Sequence, residues 1–329
     1  MKKALIVGID AYKFSPLAGC VKDANAIAET LETNGDGSPN FSARVLTSDI
    51  TEISSEMLSN AIADLFKGDA ETALLFFAGH GIINQETNAG YIVSQDGKKG
   101  AWGMALSDIL TLANQAYPRI KSTVIILDSC HSGFAGEVPA LGNNNISALG
   151  NGVTILTGCH REGTTVEEHG HGLFTRLLLD GLNGSAANIC GQITPASVYS
   201  HIDQILGVWE QRPIYKANVQ TFVTLRQVPP KISLEILRRL PIYFPDAAYE
   251  FPLDPSFEPD RENIPEELRH IPVNENNTRV FKELQMCNRH GLVVPIKAEH
   301  MYYAAINSTG CKLTALGVHY RNLAKMKRI

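Results

Sequence analysis

The sequence predicts an α/β fold in which a mainly parallel sheet is covered by helices, followed by a second, smaller unit. Three observations predict it. Short runs rich in Val, Ile, Leu and Phe alternate with segments of helical period through the first part of the chain. Several of those runs are apolar throughout instead of alternating, the pattern of strands buried on both faces. Near "RQVPPK", residues 226–231, the composition changes and prolines begin to recur.

Taken in order, "KALIVGID" (3–10) reads as a strand, and "VKDANAIAETLE" (21–32) as a helix with Val21, Ala24, Ile27, Ala28 and Leu31 on one face. "SARVLTS" (42–48) is a strand. "TEISSEMLSNAIADLF" (51–66) is a helix with Thr51 or Ser54 as its N-cap. Next come a strand "TALLFFAGHG" (72–81), a hairpin-like "GYIVSQDGKKG" (90–100), a helix "LSDILTLANQAY" (106–117) and a strand "STVIILDSCHSG" (122–133). A Gly/Asn-rich loop "EVPALGNNNISALGNG" (137–152) leads to a strand "VTILTGC" (153–159). Helices "GLFTRLLLDGL" (172–182) and "TPASVYSHIDQILGVW" (194–209) follow, then a strand "NVQTFVTL" (218–225).

Residues 1–227 are thus expected to form one domain. Residues 228–272, with recurrent prolines and the acidic "FPLDPSFEPDRENIPEE", read as an extended connector. Residues 273–329 are expected to form a small, mostly helical or winged-helix-like unit, with Thr314 capping the last helix. No internal repeat is visible.

The totals narrow the function. Hydrophobic residues at 44% and charged residues at 19% are ordinary globular values. Residues 1–227 hold 15 Lys/Arg against 22 Asp/Glu, and 228–329 hold 14 against 12, so no strong basic surface draws nucleic acid. The basic ending "RNLAKMKRI" is the one feature that favours it. Six cysteines without a CxxC pair suit neither a disulfide scaffold nor a zinc site. His160, His169 and His171 lack the partner spacing of a closed metal site, so no metal is expected. The apolar run after Lys2 and Lys3 is shorter than a signal-peptide core, and no stretch reaches the length of a membrane span. A cytoplasmic protein with free thiols and no membrane partner is the expectation.

In a parallel sheet, function collects at the carboxyl ends of the strands. Two strands end there in reactive residues: "LLFFAGHG" at His80 and "VIILDSCHSG" at Cys130. Cys130 alone reads as core filler as readily as a nucleophile, because free cysteine is among the most buried residue types. An imidazole at the neighbouring tip changes that, since it can take the thiol proton during attack. His131 is adjacent in sequence, but neighbours on extended backbone point oppositely, which leaves it a structural role. The backbone N–H groups of Gly81 and Cys130 are candidates for holding an oxyanion. Asp10, at the first strand tip, reads as a pocket residue or a helix cap. Cys159, Cys190, Cys287 and Cys311 read as unreactive thiols.

"FFAGHG" and "LDSCHSG", with the cysteine about fifty positions beyond the histidine, resemble the caspase-like cysteine peptidases, specifically their metacaspase and orthocaspase branch. The resemblance covers residues 2–226 and includes "LAGCVKDA", "GYIVSQDG" and "TGCHREGTTVEE…GLFTRLLLDGL". It implies the caspase-like α/β sandwich with a six-stranded, mainly parallel sheet. It also implies that Cys130 is the nucleophile and His80 the general base or acid. By the same resemblance Asp23 and Asp128 line the first specificity pocket and Cys20 lies beside it. Two carboxylates there would select a basic side chain, with Arg favoured over Lys because its planar fork engages both acids.

The chain also departs from the family pattern. Ala78 stands where metacaspases often carry Ser. Calcium is the one ion the resemblance raises; only Asp96 and Glu137 fall in the relevant neighbourhood, and "DGKKG" carries the wrong sign, so no cofactor is expected. No Lys or Arg lies between Cys130 and Arg161, so a basic-specific enzyme would leave this loop uncut, with Lys98–Lys99 the better self-cleavage point. The expected partners are protein or peptide substrates, and a regulatory protein at the C-terminal unit. Prokaryotic relatives of this kind resemble effectors of cell suicide or antiphage defence. The competing reading is a catalytically silent scaffold whose C-terminal unit binds a protein or nucleic acid.

Overall fold

The structure, a computed structural model of the 329-residue chain, describes residues 1–84, 86–87, 89–129, 149–158, 167–168, 171–207, 212–260 and 264–329. They form two compact units, Met1–Pro229 and Pro230–Ile329. The first unit runs β1 (Lys2–Gly8), α1 (Cys20–Glu32), β2 (Phe41–Thr47), α2 (Ser55–Leu65), β3 (Ala70–Ala78), β4 (Gly81–Asn84), β5 (Ala89–Lys98), β6 (Ala101–Ala105), α3 (Leu106–Ala116), β7 (Ile120–Asp128), β8 (Val153–Thr157), β9 (Glu167–Glu168), β10 (His171–Gly172), α4 (Leu173–Asp180), β11 (Gln192–Ile193), α5 (Pro195–Ile205), β12 (Ile214–Asn218) and β13 (Arg226–Gln227).

Six strands make the main sheet in the order β12-β8-β7-β3-β1-β2. All pairings are parallel except β12 with β8. The apolar strands divide their side chains between two covered faces, as period-two geometry requires. Leu5, Val7, Leu75, Phe77, Ile125 and Leu127 pack with residues of α2 and α3. Ala4, Ile6, Leu74, Phe76, Val124 and Ile126 pack with α1, α4 and α5. Phe76 and Phe77 are fully buried, and truncating either to Ala costs about 3–5 kcal/mol.

Local chemistry sets the helix starts. Ser54 caps α2, its hydroxyl accepting the Met57 N–H at 3.2 Å, which decides between the two expected caps. α1 follows Gly19, which has no side chain to offer. Asp10 at the end of the β1 segment replaces it, accepting the Gly19 and Cys20 N–H groups on Oδ1 and Val21 on Oδ2. Asp10 is therefore the cap of the helix that carries Cys20 and Asp23.

The expected hairpin is β5–β6, closing with Lys98 opposite Ala101, and β4 joins it to make a three-stranded sheet. The sixth main strand differs from expectation. It is "IYKAN" (214–218), and "NVQTFVTL" is extended only at Asn218. Its apolar residues Val223 and Leu225 pack into the helix-covered face without joining the sheet, so apolar content alone misassigned them.

The second unit begins with α6 (Leu234–Tyr243) and β14 (Glu250–Pro252), and continues with α7 (Glu275–Arg289), β15 (Val293–Pro295), α8 (Met301–Ile306), β16 (Gly310–Leu313) and α9 (Ala315–Lys325). β14, β16 and β15 form an antiparallel sheet in that order. Thr314 caps α9 as expected, accepting the Gly317 N–H at 3.0 Å. The expected connector over 228–272 is corrected here. Leu237, Leu240, Phe244, Leu253 and Phe257 are core residues, and β14 is an edge strand of the sheet. The buried Arg321 guanidinium of α9 donates to the carbonyls of Phe244 and Pro245, just past the end of α6. Prolines here punctuate a packed segment.

Candidate active site

β1, β3, β7 and β8 are parallel, so Gly8, Ala78, Asp128 and Thr157 end at one edge. The register pairs Ala78 with Asp128, and the Gly79 N–H donates to the Asp128 carbonyl at 3.3 Å. His80 stands two residues past Ala78. Cys130, two past Asp128, lies outside the described residues, as do His131, Glu137, Cys159, His160 and His169.

His80 sits between β3 and β4, with Gly81 opening β4 opposite Ile92. Its backbone is tied twice: its N–H donates to the Tyr12 hydroxyl at 3.0 Å, and its carbonyl accepts from Val93 N–H at 2.9 Å. The buried Tyr12 hydroxyl in turn donates to the Val93 carbonyl at 3.0 Å, and its ring packs on the imidazole at 4.5 Å between centroids. Burial pushes the Tyr12 phenol up, so it stays a neutral donor. Gly79 is needed for this approach, because a Cβ there would lie 2.5 Å from the Tyr12 hydroxyl and 2.8 Å from Phe77 Cζ.

The imidazole Nε2 is 2.6 Å from the Ser15 carbonyl oxygen. A carbonyl only accepts, so Nε2 carries the hydrogen and Nδ1 keeps the lone pair of the neutral ring. The tautomer of His80 is therefore set by main-chain geometry, with Nδ1 as its basic atom.

A second cluster lies at the start of α1. Cys20, Asp23 and Asp128 are all buried. Burial raises the Cys20 thiol pKa, and the charges of Asp10, Asp128 and Asp23 raise it further, so this cysteine stays a thiol. Asp23 Oδ2 accepts the Gly172 N–H at 3.1 Å, and Asp128 Oδ2 accepts the Thr175 hydroxyl at 2.6 Å. The structure thus brings Cys20, Asp23 and Asp128 together and holds His80 in a separate bracket beside them. Tyr12, Ser15, Gly172 and Thr175 are missed by the sequence reading. The aromatic in "DAYKFSP", just past a strand tip, is the one signal that pointed to Tyr12.

Among the described residues, no group of three or more His, Cys, Asp and Glu side chains is placed to hold a metal ion. Asp96, the described member of the pair named for calcium, spends Oδ1 on the Ser55 N–H at 2.8 Å and the Ser94 hydroxyl at 2.6 Å. Burial raises its pKa, but these bonds outweigh it and hold the carboxyl below its ordinary value. No described helix is long and apolar enough to cross a membrane.

Comparison with known proteins agrees with this fold. A protein of Geobacter sulfurreducens solved as a structural-genomics target is 14% identical, with a TM-score of 0.52, covering 70% of this chain and 97% of that one. Caspase-1 from Spodoptera frugiperda is 12% identical, with a TM-score of 0.51, covering 69% and 90%. At such identities the likeness is one of fold. No curated protein matches the sequence. The family model of the caspase domain, peptidase family C14, matches residues 1–227, which is the first compact unit less two residues. The chain belongs to the caspase-domain family, whose members are typically cysteine peptidases.

Proposed function

We propose that residues 1–227 are a cysteine endopeptidase that cuts protein chains after basic residues, Arg in preference to Lys. The observation that carries the specificity is the convergence of two buried carboxylates, Asp23 and Asp128, beside the strand tips that lead to His80 and Cys130. A guanidinium entering this cluster would meet two acceptors in a site shielded from water, where charge-assisted bonds are strongest. Family membership supports peptidase chemistry in general.

In this reading the Cys130 sulfur attacks the carbonyl carbon and its proton passes to His80 Nδ1. The Gly81 and Cys130 amides hold the oxyanion. Collapse breaks the C–N bond, and His80 returns the proton to the leaving amine. Water then hydrolyses the thioester, with His80 acting again as base. The Ser15 carbonyl stabilises the imidazolium that forms in each step. The protein would work in the cytoplasm without a cofactor, as a regulated effector in defence or cell death whose trigger reaches it through the second unit.

The test is hydrolysis of fluorogenic peptides bearing Arg, Lys, Asp or norleucine before the cut, by full-length protein with and without calcium. The expected order is Arg above Lys, with Asp and norleucine uncut, unchanged by calcium. Cys130→Ala should lower the rate by more than about a thousandfold. Preference for Asp, or activity surviving Cys130→Ala, would refute the reading. A chain that cuts none of them is a scaffold.

A further inference from the structure

The two acids attributed to the pocket do not stand alone. Both point an oxygen at the first turn of α4. The Gly172 N–H meets Asp23 Oδ2, and the hydroxyl of Thr175, which is fully buried, meets Asp128 Oδ2. A Cβ built on Gly172 would lie 2.5 Å from Asp128 Oδ2 and 3.4 Å from Asp23 Oδ2. The two carboxylate oxygens therefore flank one point and lie within about 6 Å of each other, close enough to repel strongly in a buried site. Two donors from one rigid helical turn, the Gly172 N–H and the Thr175 hydroxyl, offset part of that repulsion.

The arrangement is unusual for a helix start. Gly172 is the N-cap and has no side chain to satisfy its own helix. A threonine within a helix commonly turns its hydroxyl to a carbonyl of the preceding turn. Here the hydroxyl crosses to β7 instead, forty-seven residues earlier in the chain.

We propose that Thr175 and Gly172 are the positioning residues of the basic pocket. Thr175 fixes the plane of the Asp128 carboxylate, while Gly172 holds Asp23 and keeps the space between the acids open. This inference rests on the proposed specificity and deepens it. Its consequence concerns the kind of cation accepted. A guanidinium is a planar fork whose bonds depend on carboxylate orientation, whereas an ammonium is a point charge that tolerates a rotated acid. Thr175 thus sets the preference for Arg over Lys, beyond the general preference for positive charge that the two acids supply.

The experiment compares Thr175→Val, Thr175→Ala and Thr175→Ser with wild type in the full chain, each checked for native circular dichroism and melting. Val keeps the shape and removes the donor; Ser keeps the donor. The expected result is a drop of about 10–100-fold in kcat/KM for the Arg peptide, carried by KM, in the Val and Ala variants. The Lys peptide should change by less than about threefold, so the Arg-to-Lys ratio collapses, and Ser should restore it. Calorimetric binding of an Arg peptide to Cys130→Ala, with and without Thr175→Val, reads the same loss without turnover. If wild type prefers Arg and folded Val and Ala variants keep that ratio, the positioning role is wrong while the peptidase reading survives. If Cys130→Ala binds the Arg peptide no better than a norleucine peptide, both fall.

Discussion

The imidazole Nε2 of His80 and the carbonyl oxygen of Ser15 stand 2.6 Å apart, which leaves Nδ1 as the basic atom of the ring. The main chain of His80 is clamped in parallel through the Tyr12 hydroxyl. Tyr12→Phe keeps the ring contact and deletes both hydroxyl bonds. It should lower kcat on an Arg peptide about tenfold with KM unchanged, and lower the melting temperature by a few degrees. Steady-state kinetics and calorimetry check both. A variant with wild-type kcat would remove Tyr12 from the positioning of His80.

Cysteine reactivity should divide sharply. Burial raises the Cys20 and Cys190 thiols, and it pushes Cys287 and Cys311 up to about 12, so the thiolate share of each is negligible near neutral pH. Brief treatment of the folded chain with iodoacetamide, read by peptide mass mapping, should label Cys130 and spare these four. Unfolding the chain first should make them react alike. Equal labelling of Cys20 and Cys130 in the folded protein would contradict the assignment of the nucleophile.

Self-processing is constrained by composition. No Lys or Arg occurs in residues 131–160. Lys98 and Lys99 are exposed where β5 turns into β6, with Lys98 paired to Ala101 across the turn. Mass spectrometry of incubated wild type should find no cut within 131–160, and any early nick at Lys98–Lys99. A cut inside 131–160 that is absent from Cys130→Ala would show a specificity other than basic.

In the second unit the Tyr243 hydroxyl donates to Glu283 Oε2 at 2.7 Å, and Glu283 also takes both forks of Arg239 at 2.8 Å. Burial first, and then the bond to Glu283, push the Tyr243 phenol from its ordinary 10 up to about 12. Folding favours the neutral form, so this contribution is whole below about pH 10 and is lost as pH rises through about 12. Denaturant unfolding across that window should show wild type losing stability more steeply than Tyr243→Phe. Identical slopes would mean that the phenol titrates in the folded protein as it does in the unfolded one.

The parallel sheet, its capped helices and the strands β3 and β7 that pair within it were legible because each rests on local pattern. Apolar runs mark β3 and β7, and Ser54 and Thr314 precede their helices in sequence. The missed parts share a different origin. Tyr12, Ser15, Gly172 and Thr175 act through contacts that the fold creates between distant segments, and Ser15 acts through a carbonyl that every residue owns. The sixth strand was misplaced because "IYKAN" at the sheet edge is short and carries Lys216 and Asn218, while the β-rich "NVQTFVTL" packs Val223 and Leu225 against helices and leaves Val219 and Phe222 exposed. Proline density misled in the second unit, where prolines bound short elements whose core residues, such as Phe244 and Phe257, lie between them.

The pairing of β14 with β16 dictates how the protein can be dissected. A fragment starting at residue 273 would lack an outer strand and α6, leaving Arg321 without the carbonyls that receive it. Gene truncations meant to free the first unit from the second therefore belong at Pro229–Pro230; a cut downstream would yield insoluble remnants, easily mistaken for loss of regulation.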